Sequence, residues 1–308
     1  MTTREHLEEI KKVLNISEYH NAGFKGQGVV VASVEDLFDG DHGQNVYDTI
    51  LTYAPECKVV SYNEEHPDTS ATADNNKDVC RFPEFVDWCI KNKVDIVTSS
   101  LNWMPDKDVE KEAIKKLYEN GIIFCNCASN EGSENTFAQT KRTWAFDKEV
   151  VCVSGYMHSI NGKFSWSGFN YGEAVDVLGC GSNCPTMAHD SNVVYSWSGT
   201  SVATPMIAGM LATFKSANKN LNSKNVFDLI NNNYIPLVYK DREYKILVLP
   251  PLELRWDIME NKFENETWAK EALEWAEKVG LSDCTRLDDN ITRREVIVML
   301  YRLFKLYE

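Results

Sequence analysis

The 308-residue chain lacks any apolar run close to the roughly 20 residues that span a bilayer, which excludes a helical membrane protein. Its first residues, MTTREHLEEIKKVLN, are charged and helical in period, with no apolar stretch of the kind that opens a secretory signal. They are expected to form a helix, and a cytoplasmic protein made without a secretory signal is expected. Positive charge is short: 32 Lys and Arg face 46 Asp and Glu, for a formal net charge of −14. That balance argues against nucleic acid or an anionic membrane as a main partner. No D-x-D-x-D-G loop is present. Asp36, Asp39 and Asp41 crowd together, but a solvated turn explains them, so no metal and no cofactor is expected. Nine cysteines are an odd count, and no two pairs stand at zinc-ligand spacing. Cys57, Cys89, Cys125, Cys127 and Cys152 sit in apolar runs and read as free thiols. Cys180 and Cys184 flank Gly-Ser-Asn, where a strained disulfide or half a metal site is an alternative.

What is present is a chemistry-bearing stretch, S-G-T-S-V-A-T-P-M-I-A-G, at residues 198 to 209. Ser201 stands at the opening of an apolar helical run rich in small residues. The free N–H groups of a first helical turn carry partial positive charge, which suits an oxygen that becomes anionic during acyl transfer. Pro205 is expected within the first turn, where its missing N–H costs nothing. His42 lies in D-H-G-Q-N-V-Y and Asn130 in F-C-N-C-A-S-N-E-G. Asn130 directly follows the apolar run 121–128, which reads as a buried strand. Sites of open α/β sheets lie at such strand ends.

These three segments resemble the signature motifs of the subtilisin-like serine proteases, the subtilases, over about residues 15 to 235. In that family the motifs run strand-acid, H-G-x-x-V, S-L-G, A-G-N-E-G and G-T-S-M-A-S-P. Here Ser100-Leu101-Asn102 stands where S-L-G is expected. His42 and Ser201 lie 159 positions apart, against about 157 in the subtilisin triad. The segment L-N-I-S-E-Y-H-N-A-G-F-K-G-Q-G resembles the family's mature N-terminus, which implies a chain made without a propeptide, as in intracellular-type members. The resemblance implies a parallel β-sheet flanked by helices on both faces. It also implies a serine endopeptidase acting on proteins or peptides through Ser201 as nucleophile, His42 as base and Asn130 in the oxyanion hole. Ser100, Leu101, Asn102, Ala128 and Ser129 would line the substrate pocket, and Trp103 would narrow it. Many subtilases bind calcium, but no motif here supports it.

The acid departs from the family. The family strand ends V-A-V-I-D, whereas this one runs V-A-S-V-E-D over residues 31 to 36. Counting from Gly28 puts Glu35 in the aspartate position and Asp36 one place beyond. A one-residue step in a strand sends the side chain to the opposite face. Glu35 is therefore the expected acid, with Asp36 as the alternative if the strand end curls. Only seven positions separate Glu35 from His42, against roughly thirty in the family's triad, so a surface loop is missing. An inactive subtilase serving as a binding or scaffolding protein is the alternative reading.

Apolar runs at 29–34, 58–61, 94–99, 121–127 and 149–154 are expected strands. Helical spacing marks 42–53, 83–92, 108–119, 201–217 and 222–232, and this alternation predicts a parallel sheet. Residues 64–82 read as a polar loop. Tyr234 to Leu249 reads as a hairpin around Lys240 to Glu243. The expected domains are a catalytic unit, 1–250, and a small helical module, 257–308. In the module Trp268, Ala272, Trp275, Ala276 and Val279 share one helical face, and Val296, Met299, Leu300, Leu303 and Tyr307 share another. Its pattern resembles one surface-layer-homology-like repeat, which implies either cell-wall binding or a helical hairpin packed on the catalytic unit.

Overall fold

A computed structural model describes residues 2–35, 40–61, 82–101, 107–135, 144–159 and 162–252. The chain divides into two compact units, Met1–Pro250 and Pro251–Glu308. The expected helices of 257–308, the polar loop 64–81, and the side chains of Asp36, Asn102 and Trp103 lie outside the described residues.

Seven strands of the main sheet run parallel, in the order β11-β7-β5-β4-β3-β1-β2. They are β1 (Val30–Ser33), β2 (Lys58–Ser61), β3 (Ile96–Ser99), β4 (Ile123–Cys127), β5 (Val151–His158), β7 (Val177–Ser182) and β11 (Arg242–Leu247). Two further strands pair antiparallel, β10 (Tyr234–Tyr239) on β11 and β6 (Phe164–Trp166) on β5. The central strands β3 and β4 are buried at every position. That explains why they read as continuous apolar runs rather than alternating ones.

Helices cover both faces, so the α/β expectation holds. One face carries α4 (Phe82–Lys91) and α5 (Lys107–Glu119). Phe82, Phe85, Val86, Ile114 and Leu117 from these helices join Ala32, Val34, Val97 and Phe124 of the sheet in one core cluster. The other face carries α3 (Gly40–Tyr53) and α6 (Thr200–Ala217). Helix α6 is nearly all buried, and its small residues permit close approach. A Cβ built on Gly209 would lie 2.8 Å from the Ile50 carbonyl oxygen and 2.9 Å from Tyr53 Cβ. A Cβ on Gly179 of β7 would lie 2.5 Å from the Ala203 carbonyl oxygen. The N-terminal helix α1 (Thr3–Val13) forms as its period suggests, closed by a Thr2/Glu5 capping box.

Several elements differ from the sequence expectations. The helix expected from residue 222 begins at Val226, as α7 (Val226–Asn232). Asn222 to Asn225 instead close a turn, with the Asn222 N–H donating to Asn225 Oδ1 at 2.8 Å. Asparagine side chains compete with helix in this way. A short helix, α2 (Ile16–Asn21), and the hairpin of β8 (Cys184–Met187) and β9 (Val194–Trp197) have no counterpart in the expected elements. Cys57, Cys89, Cys125, Cys127, Cys152, Cys180 and Cys184 are buried free thiols.

Candidate active site

Strands β4, β3 and β1 are adjacent and parallel, so their carboxyl ends meet on one edge of the sheet. Glu35 follows β1, Ser100 and Leu101 follow β3, and Ala128 to Asn130 follow β4. Helix α6 starts above this edge and brings Ser201 to it.

Alternation along β1 fixes the face of the Glu35 side chain. Ala32 and Val34 belong to the core cluster shared with α4 and α5. Glu35 therefore turns to the opposite face, toward α3 and α6. It is 5% exposed. Ser33 Oγ donates to Glu35 Oε2 at 2.6 Å, and the Ser100 backbone N–H donates to Oε1. Burial pushes the Glu35 carboxyl above the usual carboxylate range. The Ser33 hydroxyl, the Ser100 N–H, its own N–H and the charge of His42 act in the opposite direction. His42, on the first turn of α3, is thus within electrostatic reach of Glu35. The imidazole is exposed and stands edge-on to Trp197, with ring centroids 5.8 Å apart. The Trp197 indole N–H is held by Thr49 Oγ1 at 3.2 Å and Thr186 Oγ1 at 3.1 Å. Hairpin β8–β9 is in this way pinned to the helix that carries His42.

Helix α6, which carries Ser201, is capped by Gly199, at φ +140°, whose N–H donates to the Gly181 carbonyl at 2.8 Å. The first-turn donors are largely spoken for. Thr200 N–H donates to Asn130 Oδ1 at 2.8 Å. The N–H groups of Val202 and Ala203 reach the Gly199 carbonyl at 3.2 and 3.4 Å. Among the described residues, the Ser201 N–H is the first-turn donor with no such partner. Asn130 Oδ1 also accepts from Thr200 Oγ1 at 3.0 Å. With its oxygen held twice, the exposed Asn130 side chain turns its NH₂ away from Thr200.

Pro205 corrects the first-turn expectation: it is the sixth residue of α6, inside the helix. A proline there leaves the carbonyl four residues earlier without its helical donor. That carbonyl belongs to Ser201. It accepts instead from Ser100 Oγ at 3.0 Å. Ser100 therefore ties the Ser201 backbone to the Glu35 carboxylate through two different atoms.

Leu101 is partly buried against the core cluster. Ala128 is buried, its carbonyl accepting from Asn135 Nδ2 at 2.8 Å. Ser129 is 5% exposed and takes φ +87°, a conformation for which glycine is the usual residue. Residues not singled out from the sequence also shape the site. Buried Asn126 donates from Nδ2 to the carbonyls of Ser99 and Leu101, each at 2.9 Å, and accepts from the Ala145 N–H at 2.9 Å. It locks the 99–101 segment onto β4. A polar residue inside an otherwise apolar strand was its only signal. Thr200 stands inside the G-T-S motif, Ser33 shows only as a hydroxyl where the family strand has an apolar residue, and Trp197 carries no signal beyond its nearness to the motifs.

Residues 26–266 match the Subtilase family profile. Subtilisin DY from Bacillus licheniformis is 24% identical over 209 residues, 68% of this chain and 70% of that protein. The major intracellular serine protease of Bacillus subtilis (strain 168) is 30% identical over 133 residues, 42% of this chain and 40% of that protein. The chain spans between 19% and 70% of the length of the first curated relatives it matches. The crystal structure of a cold adapted subtilisin-like serine proteinase aligns with TM-score 0.57 at 21% identity, over 73% of this chain and 90% of that one. At that identity the likeness speaks for the fold. The matched segment, the parallel sheet and the motif residues gathered at its carboxyl edge agree: the chain belongs to the subtilase family of serine peptidases.

Proposed function

We propose that the chain is a serine endopeptidase that hydrolyses peptide bonds through Ser201, His42 and Glu35, with Asn130 in the oxyanion hole. His42 takes the Ser201 Oγ proton as Oγ attacks the scissile carbonyl carbon. The carbonyl oxygen becomes anionic and is met by the Asn130 NH₂ and the Ser201 N–H. His42 then returns the proton to the leaving amine as the carbon–nitrogen bond breaks. Water attacks the resulting acyl-enzyme by the same route and frees Ser201. Glu35 holds the imidazole and balances its charge.

The observation that supports this reading most is the doubly held Asn130 oxygen, together with a Ser201 N–H that has no partner among the described residues. It leaves the Asn130 NH₂ and the Ser201 N–H as the donors proposed to meet the oxyanion. Ser100, Leu101, Ala128 and Ser129, which follow β3 and β4 at the same sheet edge, are proposed to bind the substrate chain. Similarity to a protease named intracellular supports a cytoplasmic setting. The test is labelling of the full chain with a fluorophosphonate probe. A single adduct on the Ser201 peptide, lost in Ser201→Ala, is expected. An unlabelled parent chain would instead favour an inactive scaffold.

A further inference from the structure

Ser33 is the last residue of β1 and is fully buried. By alternation it shares a face with Glu35, two positions on. The family strand, V-A-V-I-D, carries an apolar residue at this place, and this chain carries a hydroxyl. A lone buried hydroxyl is costly unless it is bonded. This one is bonded twice, and both bonds are to Glu35. Its oxygen accepts from the Glu35 N–H at 3.3 Å, and its single proton goes to Glu35 Oε2 at 2.6 Å. The other carboxylate oxygen is held by the Ser100 backbone N–H, a group that any residue at 100 would supply. Ser33 Oγ is therefore the side-chain donor on this carboxylate among the described residues.

A glutamate has one more rotatable bond than an aspartate, so more freedom must be removed to aim it. Its carboxylate also has to stay charged in a buried place that favours the neutral acid. A hydroxyl whose one proton is committed to the carboxylate answers both needs. We propose that Ser33 is a positioning residue of the catalytic site, which fixes the Glu35 carboxylate in the orientation and the ionised state that His42 requires. The proposal rests on the reading of Glu35 as the triad acid.

Among the described residues, the titratable groups that interact with Glu35 are His42, from α3, and Cys127, from β4. The Cys127 thiol is buried and is pushed up to about 12, by burial first and by the Glu35 charge second, so it stays neutral across the working range. The Glu35 carboxylate is then the group through which Ser33 acts on the acid limb of the pH–rate profile.

The experiment compares kcat/KM against pH for the parent chain, Ser33→Ala and Ser33→Thr on one peptide substrate. Removing a hydrogen bond to the charged form moves a carboxyl upward. The acid limb of Ser33→Ala is expected to rise by about one pH unit, a loss of about tenfold on that limb that narrows as pH increases. Ser33→Thr keeps the hydroxyl and should restore the parent profile. A loss equal at every pH, or one that Thr does not repair, overturns the proposal and leaves Ser33 as packing. Should Ser33→Ala not fold, Ser33→Val supplies volume without the proton, with the same expectation. A second measurement needs no turnover: titration of the Glu35 carboxyl by carbon NMR in a Ser201→Ala background. An upward move of its midpoint on Ser33 substitution supports the proposal even if the chain proves inactive. An unmoved midpoint overturns it even if the chain is a peptidase.

Discussion

Asn130 has one observed and one proposed task, and a pair of substitutions can separate them. Its oxygen accepts from Thr200 N–H and Thr200 Oγ1, at 2.8 and 3.0 Å, and its NH₂ is the proposed donor to the oxyanion. Asn130→Ala removes both functions. Losing one oxyanion donor costs about 10²–10³ in kcat, or about 2.7–4 kcal/mol of transition-state stabilisation. It also strands two polar groups on Thr200, which is fully buried. A buried donor left without its partner costs about 1–3 kcal/mol of stability. Asn130→Asp keeps both bonds to Thr200 but puts a carboxylate oxygen where the donor stood. It should lose at least as much kcat as Asn130→Ala while unfolding at a higher temperature than that variant. Steady-state kinetics on a chromogenic peptide and a thermal melt of each variant read the two effects. KM should barely move in either, because the amide acts on the transition state. A defect confined to KM would show that Asn130 binds the ground-state substrate. Equal melting temperatures for the two variants would refute the anchoring of the amide on Thr200.

Three further outcomes are expected. Glu35→Gln should lower kcat near neutral pH by about 10⁴, since one amide oxygen cannot accept from both Ser33 and Ser100 and still orient His42, while Asp36→Asn should cost less than about tenfold; the reverse ranking in a kcat comparison would mean that the strand end bulges. Gly209→Ala should lower the melting temperature through an overpacking cost of about 1–3 kcal/mol, because its Cβ would meet Ile50 and Tyr53 at under 3 Å; a variant as stable as the parent would show that α3 and α6 can part freely. Burial pushes the Asp176 carboxyl up to about 7, from an ordinary 3.8. Between those values the folded chain keeps a proton that the unfolded chain has lost, so this group's contribution to stability falls as pH rises through that window and stays lost above it. Asp176→Asn should therefore raise the melting temperature at pH 8 relative to the parent and leave it nearly unchanged at pH 4; a gain of equal size at both would place its origin elsewhere.

The legible parts of the site were those written in short runs of chain. Ser201 at a helix start, Asn130 after a strand and Glu35 on one strand face all follow from local periodicity, and periodicity is a property of neighbours in sequence. The same holds for the central strands and for α1. Helix α7 was overextended because asparagine and serine at 222 to 225 satisfy helical spacing as readily as they satisfy a turn. The strands β6 to β9 were illegible. They are short, broken by glycine and polar residues, and exist because distant partners complete their ladders.

By itself the sequence determined which groups could do chemistry and on which element each would sit, since residue type and local backbone geometry are encoded within a few positions. Tertiary structure alone decided what holds those groups. The lock of Asn130 on Thr200 joins positions 70 apart. The Ser100 hydroxyl reaches the carbonyl that Pro205 deprives, across 101 positions from Ser100 to Ser201. Trp197 meets His42 only because hairpin β8–β9 packs on α3. A hydrogen bond or ring contact depends on distance in space to within a few tenths of an ångström, and for residues so far apart in the chain only the packed sheet and helices set that distance.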